Sequence, residues 1–113
     1  HLNGKIPVTG QDATAQGIQN VIAGDQCMTV YKAIKAEANA AATLALELRD
    51  SKTPTETMSK LNNGAKDVNS LLLVPVSVTK DNIKATVIAD GFRTIAEICP
   101  ASLATQCAAL GLQ

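Results

Sequence analysis

The 113 residues suffice for one small domain with a modest core, and an apolar content of 46% excludes a disordered polar segment. Ten basic residues balance ten acidic ones, which leaves no electrostatic footprint for nucleic acid or an anionic membrane. Tyr31 and Phe92 are the only aromatics, too few for a base-stacking platform, and the apolar runs 40–46 and 71–76 fall far short of the ~20 residues that span a bilayer.

Lys5-Ile6-Pro7-Val8-Thr9-Gly10 reads as a short strand, with Pro7 near its start, where proline is tolerated. Ala13 to Ala23 reads as a helix, because Ile18, Val21 and Ile22 share one face at i, i+3, i+4 spacing, and Gly24 closes it. Cys27-Met28-Thr29-Val30-Tyr31-Lys32 is rich in β-formers and predicts the next strand. From Ala33 to Asp50 a longer helix is expected, with Ile34, Ala38, Ala41, Ala45 and Leu48 as its apolar stripe.

Ser51 to Ser70 is polar and contains Pro54 and Asn62-Asn63-Gly64, the pattern of a surface loop with a turn. Leu71 to Val78 reads as a third strand, which Pro75 confines to a sheet edge or a crossing point. Thr79-Lys80-Asp81-Asn82 can cap a helix over 81–90, ended by Gly91, although Ala85-Thr86-Val87-Ile88 would also suit a strand. The tail from Arg93 reads as helical in two pieces broken at Pro100.

The order β-α-β-α-β-α predicts α/β layering with a mostly parallel sheet and flanking helices. Three strands are few for an independent sheet of this kind, so the chain reads as a piece of a larger fold.

Chemistry concentrates in the first β-α-β unit. Parallel neighbours lie about 4.8 Å apart and end at the same sheet edge, where open α/β sheets bind ligands. Asp12 follows the first strand and Lys32 ends the second. A carboxylate that only accepts and an ammonium that only donates suit a polyhydroxylated ligand, whose hydroxyls do both. For Asp12, a helix N-cap is an equally good reading. For Lys32 the competing reading is a solvated strand end, and an ion pair between the two without a ligand is a third option.

Other chemistry finds no support. His1 is the only histidine and sits at the terminus, so no catalytic residue and no metal site is assigned. The glycines Gly10, Gly17 and Gly24 form no phosphate loop, and Cys27, without a histidine partner, reads as a buried small hydrophobe. A sugar hydrolase or isomerase would need paired carboxylates or a metal, and only Asp12 is placed at the edge.

Cys99 and Cys107 lack CxxC spacing, and a disulfide between them would fit an exported protein; three reduced thiols in a cytosolic chain is the competing reading. An unbroken helix would hold their Cα atoms about 12 Å apart, beyond the roughly 7 Å a disulfide tolerates. The bond therefore requires the chain to reverse, which Pro100 permits.

Four stretches carry a resemblance: Lys5 to Ala13, Met28-Thr29-Val30-Tyr31-Lys32, Leu61-Asn62-Asn63-Gly64, and Lys80 to Phe92. Together they resemble the D-xylose-binding proteins of ABC transporters, a branch of the periplasmic-binding-protein family that includes ribose-binding proteins. The likeness covers about Leu2 to Phe92.

It implies the C-terminal portion of a type I fold of two α/β lobes joined by crossing segments, with a sugar in the cleft between them. Residues 1–32 would finish the C-terminal lobe, 33–75 would belong to the N-terminal lobe, and 76–113 would cross back and end the chain. Asp12 of Gly-Gln-Asp and Lys32 of Thr-Val-Tyr-Lys would contact the ligand.

The implied protein is an exported, non-enzymatic solute-binding component of the periplasm or the extracellular face of the cell membrane. It needs no cofactor. Its partners would be a xylose-like monosaccharide, an ABC permease and the missing N-terminal portion of its own chain. A sensor that presents sugar to a membrane histidine kinase or chemoreceptor is the alternative. The position after Thr-Val-Tyr-Lys, often proline in the family, is Ala33 here.

Overall fold

The structure, a computed structural model, describes residues 2–113. His1, set aside above as a terminal histidine, lies outside them. The chain divides into two units: residues 2–33 with Pro75–Gln113, and Ile34–Val74.

In the first unit, β1 (Thr9–Gln11), α1 (Ala15–Ala23) and β2 (Met28–Tyr31) follow one another as a β-α-β unit. The expected first strand is shorter at its start, because Pro7 offers no N–H to a ladder. α1 buries Ile18, Val21 and Ile22, the face its spacing predicts. Its N-cap is Thr14, whose side chain accepts from the Gly17 N–H, and Gly24 closes it in the left-handed region at φ 93°.

β1 and β2 pair in parallel, Thr9 with Met28 and Gln11 with Val30. β5 (Val76–Val78) adds to the far side of β2, antiparallel, so the sheet order is β1-β2-β5. This refines the mostly parallel expectation: the parallel pairing is the β-α-β one, and the strand that returns after residue 74 enters in the opposite sense. Residues 71–74, expected to be part of that strand, form no ladder. Pro75 cannot donate to one, and Leu72, Leu73 and Val74 are exposed.

The expected helix over 81–90 contracts to a π-helical turn, Lys84–Ile88. The Ile88 and Ala89 N–H groups bond five residues back, to Ile83 and Lys84, and Thr86 Oγ1 adds a bond to the Asn82 carbonyl at 2.6 Å. Asn82 supports the turn's entry by accepting from the Thr79 N–H at 2.9 Å.

The tail breaks at Pro100 into α3 (Ile95–Ile98), a 3₁₀ turn (Ala101–Leu103) and α4 (Ala104–Ala109). Across this break Cys99 and Cys107 are disulfide-bonded, with Cα atoms 6.0 Å apart. Leu103 and Leu110 pack against a core of Ala13, Ile18, Val21, Ile22, Tyr31, Val78, Ile83, Val87, Ile98, Cys107 and Leu112. Cys27, expected to be buried, is instead an exposed free thiol. It precedes β2, outside the alternation that turns Thr29 and Tyr31 inward.

The second unit holds α2 (Ile34–Arg49) and a hairpin of β3 (Ser59–Asn62) and β4 (Asp67–Ser70). The sequence predicted a loop here, because β3 is exposed on both faces and carries no alternating signal. Its turn is where Asn62-Asn63-Gly64 placed it. Asn63 Oδ1 accepts from the Ala65 and Lys66 N–H groups at 3.0 Å, and Gly64 takes φ 91°.

No residue of α2 is buried, and Ile34, Leu46 and Leu48 stand exposed on it. An uncovered apolar helix of this length promotes association. Light scattering of the purified chain should show self-association that grows with concentration, reduced by Leu46→Lys with Leu48→Lys. A strictly monomeric wild-type chain at high concentration would contradict this.

Candidate functional site

The parallel pairing brings both candidate residues to one edge of the sheet. Asp12 follows β1 directly and Lys32 follows β2 directly. Lys32 Nζ lies 2.6 Å from Asp12 Oδ1, and their side chains are 52% and 54% exposed. An ion pair this open contributes at most about 1 kcal/mol.

Asp12 does not cap α1; Thr14 does. Asp12 and Ala13 instead form a turn in which both lie in the left-handed region, at φ 76° and φ 43°. Aspartate tolerates that region, whereas alanine pays about 1 kcal/mol or more for it. Strain of this kind persists only where the surroundings hold it.

Here the surroundings hold Ala13 at both of its backbone polar groups. Its N–H donates to the buried Thr29 Oγ1 at 3.2 Å, and its carbonyl accepts from Arg93 Nε at 3.0 Å. Thr29 points inward from β2, so the parallel register that aligns the strands also supplies the hydroxyl.

Arg93 rests on the ring of its neighbour Phe92, with Cζ 4.3 Å from the centroid. The Phe92 ring lies 4.9 Å from that of Tyr31, so the chain's only two aromatics pack together. The Tyr31 hydroxyl donates to Asp90 Oδ2. Burial first, then this bond and the Asp90 charge, push the Tyr31 phenol up to about 12. A hollow of about 340 Å³ lies beside this bond, lined by Tyr31, Ala33, Val76, Ala85, Ala89 and Asp90 among others.

The structure brings the sequence's candidates Asp12 and Lys32 together, and sequence reasoning placed none of Thr29, Arg93, Tyr31 and Asp90 beside them. The pairing of the two aromatics was the available signal, since it ties the end of β2 to the start of the tail.

No protein-family profile matches the chain. The D-xylose-binding periplasmic protein of Escherichia coli is 50% identical over 97 residues, which are 86% of this chain and 29% of that protein. The protein of the same name from Haemophilus influenzae is 46% identical over 93 residues, 82% of this chain and 28% of its own length. Among solved structures, a carbohydrate transporter solute-binding protein from Chloroflexus aurantiacus in complex with D-glucose superposes with a TM-score of 0.71 at 36% identity. It covers 80% of this chain and 26% of that one.

The fold is thus that of part of the periplasmic sugar-binding proteins and carbohydrate-transporter solute-binding proteins to which the chain is similar. Over most of its length the chain is similar to the D-xylose-binding periplasmic proteins of these two organisms, and it spans less than a third of their length.

The Tyr31 phenol is held protonated in the folded chain from its ordinary 10.0 up to about 12. Its contribution is complete below pH 10 and is lost as the pH rises toward 12, because the unfolded chain gives up that proton first. The denaturation midpoint should fall over this window, and Tyr31→Phe should flatten that part of the fall. Parallel pH profiles for the two proteins would show the assignment wrong.

Proposed function

We propose that the chain is part of the solute-binding component of a sugar ABC importer, and that it contacts a monosaccharide, D-xylose foremost, through Asp12 and Lys32. The observation that carries this reading is the meeting of the two side chains at one strand edge, on a left-handed turn whose strain is at least comparable to what their exposed ion pair returns. The relatives named D-xylose-binding support the ligand class, and the D-glucose complex of the structural neighbour keeps hexoses within reach.

The chemistry fits a neutral polyol. Lys32 engages Asp12 through Oδ1, and an incoming sugar can bond to Oδ2 and to the remaining ammonium hydrogens without breaking the pair. Asp12 then accepts from one or two hydroxyls, and Lys32 donates to another. Bonds from a sugar hydroxyl to a carboxylate and from an ammonium to a sugar oxygen are charge-assisted, which strengthens each. Binding, closure and release are the whole task, with no covalent step.

In the complete protein, residues 1–32 would close the C-terminal lobe, 33–75 would belong to the N-terminal lobe, and 76–113 would return to the first. The division of the chain near residues 33 and 75 supports that assignment. The sugar would sit in the cleft between the lobes, and their closure would signal to the permease. Such a protein works outside the cytoplasmic membrane, in keeping with its periplasmic relatives and with the Cys99–Cys107 disulfide.

Calorimetry with D-xylose on the two-lobed protein tests the site. Asp12→Ala should weaken binding by about 30-fold, since it leaves sugar hydroxyls unpaired at a cost of roughly 2 kcal/mol. Lys32→Met should weaken it less, because water can replace the ammonium. Two variants within twofold of wild type would remove the assignment.

A further inference from the structure

We infer that Arg93 is a positioning residue for the sugar site: it holds the left-handed Asp12–Ala13 turn and so sets the direction in which the Asp12 carboxylate faces Lys32 and the ligand. This rests on the reading of Asp12 and Lys32 as sugar contacts.

Ala13 has no side chain beyond Cβ, so its backbone groups are the anchors available to fix its φ. One is tied to Thr29, a core residue of β2, and the other to Arg93, which is 80 residues away in sequence. Thr29 alone fixes the turn's position against the sheet. It anchors the Asp12–Ala13 peptide through the Ala13 N–H but leaves the Ala13 carbonyl, on the Ala13–Thr14 peptide, free to swing. The Arg93 bond closes that freedom.

Arg93 is itself placed from the Lys32 side of the edge. Its guanidinium stacks on Phe92, and Phe92 packs on Tyr31, the residue that precedes Lys32. One planar group therefore reaches both strand ends, by a hydrogen bond toward Asp12 and by stacking toward Lys32. The bond leaves from Nε, which holds the guanidinium side-on to the carbonyl while its face stays on the ring. A lysine ammonium has neither the plane nor the side-on nitrogen, so it would reproduce only part of this. The arginine reaches the site through Ala13 directly and through Phe92 to Tyr31, which makes its role one of orientation.

The test combines binding with a local spectroscopic readout. In the two-lobed protein, Arg93→Met should weaken D-xylose binding about tenfold, the weight of one charge-assisted hydrogen bond, and Arg93→Lys should recover part of the loss. In an Asp12→Asn background, Arg93→Met should change affinity less than twofold, because its route to the sugar passes through Asp12. A merely structural arginine would lower affinity equally in both backgrounds. In this chain, Arg93→Met should also move the Ala13 carbonyl carbon and the Asp12 and Ala13 Cα resonances, while those of α1 stay in place. If Arg93→Met does not fold, the same resonances are read in Arg93→Lys. Wild-type affinity in Arg93→Met, an equal loss in both backgrounds, or unmoved Ala13 resonances would each overturn the positioning role. If Asp12→Asn itself leaves binding unchanged, the sugar-site reading falls, and the resonances then decide separately whether Arg93 holds the turn.

Discussion

The parallel pairing of Thr9-Gly10-Gln11 with Met28-Thr29-Val30 is the contact from which the site is built. It can form because α1 crosses between the strands and buries Ile18, Val21 and Ile22 against the core. The same register does three things at once. It ends β1 and β2 at one edge, turns Thr29 inward beneath Ala13, and leaves Lys32 beside Asp12. A slip of one residue would reverse the faces of β2, exposing Thr29 and Tyr31 and removing both the hydroxyl under the turn and the ring under Phe92. Gly10 adds a local requirement: a Cβ there would stand 2.6 Å from the Gln26 side chain, which is bonded to the Met28 carbonyl at 2.8 Å.

Magnitudes separate stability from function at that edge. The large aliphatic residues of the core, such as Ile18, Ile22 and Val87, each contribute about 1.5–3 kcal/mol by burial, whereas Asp12 and Lys32 lie outside that core. The ion pair is half exposed and returns at most about 1 kcal/mol, while the two left-handed residues cost at least a comparable amount. The ion pair alone therefore does not hold the turn; the Thr29 and Arg93 bonds to Ala13 do. On the proposed reading, the arrangement serves to present an acceptor and a donor at the end of the sheet. The buried Thr29 and the stacked Arg93 supply the rigidity, and neither needs to touch the ligand.

What the sequence made legible follows from the range of the forces involved. α1 was readable because Ile18, Val21 and Ile22 repeat at helical spacing and Gly24 marks its end, both local signals. The break at Pro100 was readable for the same reason, since proline acts on its own neighbours. The hairpin over 59–70 was missed because polar strands exposed on both faces leave no pattern, and only its turn residues spoke. Over 81–90 the helical signal was read, but not the widened π turn that Ile88 and Ala89 form by bonding five residues back. At the site, Asp12 and Lys32 could be placed from strand ends. Arg93 could not, since its bond to Ala13 spans most of the chain and depends on how the tail folds back. Asp12 read equally well as a cap until Thr14 was seen to fill that place.

The central claim is that one strand edge meets the sugar through Asp12 and Lys32, and a crystal structure of the two-lobed protein with D-xylose tests it most directly. The account predicts sugar hydroxyls within about 3 Å of both the Asp12 carboxylate and the Lys32 ammonium, with Asp12 and Ala13 still left-handed. A sugar bound elsewhere, with the Asp12–Lys32 pair facing only solvent, would contradict it.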